Sequence, residues 1–236
     1  GDYPIDHHHK KNPTAPQHLD FYPVPSFNIP LGSLIPEKMD GLIVCDKSIS
    51  VSNVVNGSTR LQPCVLLTGQ AAGMLAALSV LQKKQPRNIS VREVQNNLLQ
   101  AGGCIMPYIG VPFTHKHFTA IQKIGVTGIL KGAGIPYKWA NQTWFYPDSV
   151  IEAEIFARDV KVCTGIQFNS QNKIVTVSDI IQYITDTYKS RGKTIFSEED
   201  IAKNWASLGL ENFDTKRPAK RFEIAVLLNA WINPFD

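Results

Sequence analysis

The 236-residue chain contains no glycine-rich G-x-G-x-x-G turn. That gap excludes a self-contained dinucleotide-binding crossover, whose pyrophosphate rests on such a turn at a helix N-terminus. The nearest runs, Gly102-Gly103 and Gly132-Ala133-Gly134, lack a preceding apolar strand and a following small-residue helix, and they read as turns. Cysteine is scarce. Cys45, Cys64, Cys104 and Cys163 lie far apart in mostly apolar surroundings, a pattern of buried thiols and not of a disulfide framework or a zinc site. The net charge is only +4 and no basic stripe is interleaved with aromatics, so nucleic acid is not an expected partner. No membrane span is expected, because Thr68, Gly69 and Gln70 interrupt the longest apolar stretch before it reaches the ~20 residues a span needs. A secretory leader is not legible; with a signal peptide in a precursor, the protein would be periplasmic or secreted and not cytoplasmic.

What is present is the composition of an ordinary globular protein of one or two domains, with 43% hydrophobic and 19% charged residues. Its most informative stretch runs from Gly41 to Leu81. Gly41 to Cys45 is a short Ile- and Val-containing run bounded by glycine and acid, which predicts a buried strand ending at Asp46. Lys47 to Arg60 supplies serine, asparagine, threonine and glycine, which predicts a polar loop suited to a polar ligand. Pro63 then fits the start of a helix, where its missing N–H costs nothing and the free N–H groups favour an electron-rich ligand atom. Gly69, Ala71, Ala72, Gly73, Ala76 and Ala77 leave that helix little side chain, and its lack of charge predicts burial.

These residues carry a resemblance. SLIPEKMDGLIVCDKSIS followed by NGSTRLQPCVLLTGQAAG is similar to the C-terminal signature of bacterial FAD-dependent oxidoreductases with a glutathione-reductase-like flavin fold. That branch is met in polysaccharide-degrading organisms and sometimes carries a xanthan-lyase label. DYPIDHHH and FYPVPSFNIPLGSLIP extend the resemblance from about Asp2 to Pro107. It implies that Asp46, with Lys47 and Ser48, faces the ribityl or phosphate region of FAD, although the family usually has Gly-Arg where Asp46 and Lys47 stand. It further implies that Arg60, Leu61 and Gln62 face the pyrimidine edge of the flavin, and that Gly57, Ser58, Gly69 and Gly73 allow close approach. A donor at that edge stabilises charge on the reduced ring. Because the glycine fingerprint is missing, the chain is expected to be the C-terminal portion of a longer flavoprotein. Its first partner would then be the ADP-binding half of the same polypeptide, and FAD would be absent from this portion alone.

Asp2 to Pro36 is rich in proline and aromatics and reads as irregular strands. His7, His8 and His9 lack the spacing of a metal site, and no metal is expected anywhere in the chain. Two readings stand for them: a proton shuttle at the substrate face of the flavin, or a solvated strand end. Further on, Ser90 with Glu93 spells a capping box for a helix with Val91, Val94, Leu98 and Leu99 on its apolar side, stopped by Gly102-Gly103.

From about Tyr108 two helical-hairpin units follow, with Ile121, Ile124, Val126 and Ile129 marking one inward face and Phe222, Val226, Leu227 and Trp231 another. His115 to Asp159, and more weakly Ala202 to Pro234, resemble S-layer-homology modules. That likeness implies binding of a cell-envelope glycan, although Ile151-Glu152-Ala153-Glu154 lacks the arginine of the family's Thr-Arg-Ala-Glu motif. Trp139, Trp144, Phe145 and Tyr146 crowd one loop; core filling is favoured over sugar stacking. The expected fold is α+β: a partial flavoprotein segment over residues 1–107, then a mainly helical S-layer-homology-like domain over residues 108–236. The expected function is the flavin-facing part of an FAD-dependent oxidoreductase acting on a carbohydrate-derived substrate, with a non-catalytic glycan- or partner-binding module as the alternative.

Overall fold

The computed structural model describes residues 1–6, 26–137, 140–193 and 197–235, and among them the fold is α+β. In chain order the elements are α1 (Asn53–Thr59), α2 (Gln62–Gln82), α3 (Val91–Gln100), β1 (Tyr108–Ile109), α4 (Phe118–Thr127), β2 (Ala133–Ile135), β3 (Gln142–Trp144), α5 (Ala153–Thr164), α6 (Val177–Ser190), α7 (Glu198–Trp205) and α8 (Arg221–Trp231). Two compact units result, Gly1–Pro107 with Ala133–Trp144, and Tyr108–Gly132 with Phe145–Asp236.

The first unit is organised by α2. Leu75 and Leu78 pack with Ile89 and Val94, while Ala72 packs with Leu34 and Ile49. Each such aliphatic side chain contributes roughly 1.5–3 kcal/mol when fully buried. The helix runs unbroken for 21 residues, so the expected interruption at Thr68 to Gln70 does not occur, and α2 is long and apolar enough to cross a membrane by length and composition. Nor is it buried as its composition predicts. Leu66, Val80 and Leu81 are 74%, 76% and 78% exposed, because neighbours cover only the face bearing Ala72, Leu75 and Leu78.

Gly41 to Cys45 is not a strand, with Gly41 at φ +69°, and Leu42 is exposed. Its backbone finds a bond from the Val44 N–H to the Leu34 carbonyl at 2.8 Å instead of a ladder. The polar stretch after it folds in part: Asp46–Ser48 makes a 3-10 turn, and Ser52 caps α1 by accepting from the Val55 N–H at 3.3 Å. Helix α3 starts at Ser90 without the expected capping box, since Glu93 is taken by the Gln82 amide. Its end is as read. Gly102, at φ +78°, and Gly103 donate to the Leu99 and Leu98 carbonyls at 3.0 and 2.8 Å, which closes the last turn. Ala133 and Gly134, expected in a turn, pair antiparallel with Trp144 and Thr143 in the β2–β3 hairpin. Residues 1–6 and 26–36 contain no strand, only a 3-10 turn at Leu31–Leu34. The cysteines also depart from expectation: Cys64 is buried, Cys104 half-buried, and Cys45 and Cys163 are exposed, all as free thiols.

The second unit is built around α8, which packs on both α4 and α6. Elements assigned by sequence to different hairpins therefore share one core. Ile121, Ile124 and Ile129 are buried as expected, as are Val226 and Leu227, whereas Phe222 and Trp231 are half-buried. Three extended segments knit the helix starts together. Val175 donates to Ile151 at 3.1 Å, Ala219 to Val175 at 2.9 Å, and Arg221 to Ser149 at 2.8 Å. Phe145 fills the core against Tyr108, with ring centroids 5.0 Å apart, and lies under the Arg221 guanidinium. Tyr146 is exposed, Trp144 is half-buried, and Trp139 lies outside the described residues.

Candidate functional site

The residues expected to face a flavin fall into two sets in the first unit. Gly57, Ser58 and Arg60 are turned toward the N-terminal segment. Ser58 Oγ donates to the Tyr3 carbonyl at 2.7 Å, the Gly57 carbonyl accepts from the Asp6 N–H at 3.4 Å, and Arg60 Nη2 donates to Asp6 O and Oδ2 at 3.1 and 3.3 Å. Arg60 thus clasps the residue immediately before His7. His7, His8 and His9 themselves lie outside the described residues.

The second set is open. Asp46, Lys47 and Ser48 are exposed on the 3-10 turn that packs against α2, and Asp46 sits in the left-handed region at φ +62°. The sequence marked Asp46 as a strand end; the strained turn that projects it comes from the tertiary fold. Among the described residues no side chain caps the start of α2 at Leu61, and Gln62 and Pro63 are exposed there. Gly69 and Gly73 have open space where a Cβ would stand. Asn56 Oδ1, within α1 beside Gly57, is a buried acceptor without a donor among the described residues. An exposed polar turn, an uncapped helix start and a side-chain-free helix face suit a flat, polar cofactor laid along α2.

Residues 1–98 match the family model "FAD dependent oxidoreductase". The match supports a flavoprotein-oxidoreductase part over these residues, and the family binds FAD. No curated protein and no solved structure matches the chain. The FAD dependent oxidoreductase segment contains all the open positions just described, from Asp46 to Gly73.

The second unit carries a groove of about 590 Å³ at the starts of α4 and α8, lined by His115, Lys116, His117, Arg217, Lys220 and Phe222 among others. Sequence reading did not single it out, because its residues lie a hundred positions apart. The His117 ring stacks on Phe222 with centroids 5.2 Å apart and planes 10° from parallel. Glu223, almost fully buried, accepts both Arg217 Nη atoms at 2.7 and 2.8 Å and the Lys220 N–H at 2.8 Å. Lys220 Nζ reaches Asp148 at 2.9 Å and Lys116 Nζ reaches the Gly209 carbonyl at 3.0 Å. Burial holds the His117 pKa below the usual imidazole value, with His115 and Lys116 adding to the effect and the Gly209 carbonyl and Glu223 opposing it.

Proposed function

We propose that residues 1–107 supply the flavin-facing part of an FAD-dependent oxidoreductase that passes a hydride to or from a carbohydrate-derived substrate. The observation that carries this reading is the family match over residues 1–98, on the same residues that leave a polar turn and a small-residue helix face open. Asp46, Lys47 and Ser48 would hold the ribityl or phosphate region, and Leu61 and Gln62 would bring the α2 start to the pyrimidine edge. Gly69 and Gly73 would let the cofactor lie close. Gly57, Ser58 and Arg60 act one layer back, by fixing the segment that leads into His7, His8 and His9, the proposed proton shuttles. FAD, when bound, supplies the two-electron chemistry. The ADP half of the cofactor is held by a glycine-rich turn on another stretch of polypeptide, since this sequence has none. Flavin titration tests the assignment. The chain alone should retain FAD poorly, and the chain joined to an ADP-binding half should be yellow; a folded, colourless joined protein in added FAD would refute it.

A second reading belongs to the helical unit, and the groove at α4 and α8 favours it. We propose that this unit is an S-layer-homology-like module that binds a cell-envelope glycan there. Cationic side chains and a stacked His117–Phe222 face are the groups that hold sugar hydroxyls and acids. Pull-down of envelope polysaccharide by the chain, with loss in Lys220→Ala, is the expected result.

A further inference from the structure

We propose that the groove at the starts of α4 and α8 takes up an anionic sugar together with a proton, the imidazole of His117 turning it from charge-balanced at neutral pH to cationic in acid. This rests on the glycan reading of the same groove. The fixed charges lining it cancel, Lys116, Arg217 and Lys220 standing against Asp148, Glu211 and Glu223. Two of the three cations are also spent on carboxylates, Arg217 on Glu223 and Lys220 on Asp148, and Lys116 on a carbonyl. Permanent attraction for an anion is therefore small.

The imidazole of His117, next to that of His115, is left to change the balance. Every element around them contributes a charge: Lys116 between them on the α4 entry, Asp148 before α5, Glu211 and Arg217 on the connection into α8, and Lys220 and Glu223 at the α8 start. The surroundings of the His117 ring disfavour its protonation. His117 is half-buried on Phe222, beside Lys116 and with the His115 ring 6.0 Å away. His115 Nδ1 accepts the His117 backbone N–H at 3.1 Å, which keeps its own proton on Nε2.

An anion seated beside His117 removes the penalty. By linkage, whatever raises the histidine pKa on binding must bind more tightly as pH falls. The affinity gain approaches about tenfold per pH unit for each proton taken up. A cation on His117 also gains from the Phe222 face it already stacks on.

Calorimetric titration of the whole chain with trigalacturonate, and with neutral maltotriose, at about pH 5.5 and about pH 7.5 in low salt tests this. A carboxylated sugar stays ionised across that range, so the protein alone changes charge. Trigalacturonate should bind at least about tenfold tighter at the lower pH, with proton uptake visible between buffers of different ionisation enthalpy. His117→Gln should flatten the slope to under about threefold while circular dichroism shows it folded. Binding of trigalacturonate without pH dependence, an unchanged slope in His117→Gln, or an equal slope for maltotriose overturns the proton-linked site and leaves glycan binding standing. No binding of either sugar at either pH overturns both. Should His117→Gln fail to fold, proton uptake by the unmodified chain decides, and its absence overturns the proposal.

Discussion

Asp159 concentrates the electrostatics of the second unit in one carboxylate. Its side chain is 3% exposed, with Lys131 Nζ at 2.9 Å and Arg158 Nε at 3.0 Å. Burial alone would raise its pKa, but the bonds from Arg158 and Lys131 outweigh it and the value is lowered. A lowered carboxylate pKa gives stability that is present above the unfolded value near 3.9 and is lost as pH falls through the folded one. Asp159→Asn should therefore cost about 1–3 kcal/mol at neutral pH, a fall of several degrees in the melting temperature, and should flatten the loss below about pH 4. Melts across pH check both. Gly125 poses a steric question instead, since a Cβ there would collide with the ring and hydroxyl of buried Tyr108. Gly125→Ala should destabilise by about 1–3 kcal/mol in denaturant titration. Nothing in the sequence marks Gly125 apart from other helical glycines, because the collision comes from β1.

Two helices begin with the same sequence signature and end in different geometry. Thr176 caps α6 fully, with its Oγ accepting the Asp179 N–H at 3.2 Å while Asp179 Oδ2 accepts the Thr176 N–H at 2.8 Å. Ser90 does not cap α3, because Glu93 turns to Gln82 across the α2–α3 pair. Thr176→Ala should cost about 1 kcal/mol and Ser90→Ala no more than about 0.5 kcal/mol, a difference that equilibrium unfolding resolves. At this scale the legible signals were those set by a residue's own backbone: Pro63 at the α2 start and Gly102-Gly103 at the α3 end. Helix α1 was missed because Val54, Val55 and Gly57 are poor helix formers, and only Ser52 announced it. Gly41 to Cys45 has strand composition, yet a strand needs a neighbour to pair with, and its backbone bonds to Leu34 instead.

At the scale of the whole molecule, the two compact units should melt as separable transitions in calorimetry. Leu75 is completely buried in the first unit, so Leu75→Ala should lower one transition only, by about 2–5 kcal/mol of stability. Acid should act on the other. The lowered His117 pKa makes the second unit lose stability as pH drops below the ordinary imidazole value, and the lowered Asp159 and Asp179 values add a second loss in the carboxylate range. His117→Gln should erase the first step alone. The sequence by itself determined the mixed fold class, the flavoprotein likeness of the first hundred residues, the start of α2 at Pro63 and the stop of α3 at Gly102-Gly103. These follow from local backbone preference and from motifs whose chemistry sits in adjacent residues. Only the tertiary structure decided that one face of α2 lies open, that Arg60 holds Asp6, and that His117, Arg217 and Phe222 share a groove. Burial and proximity are properties of packed neighbours, and those neighbours are remote along the chain.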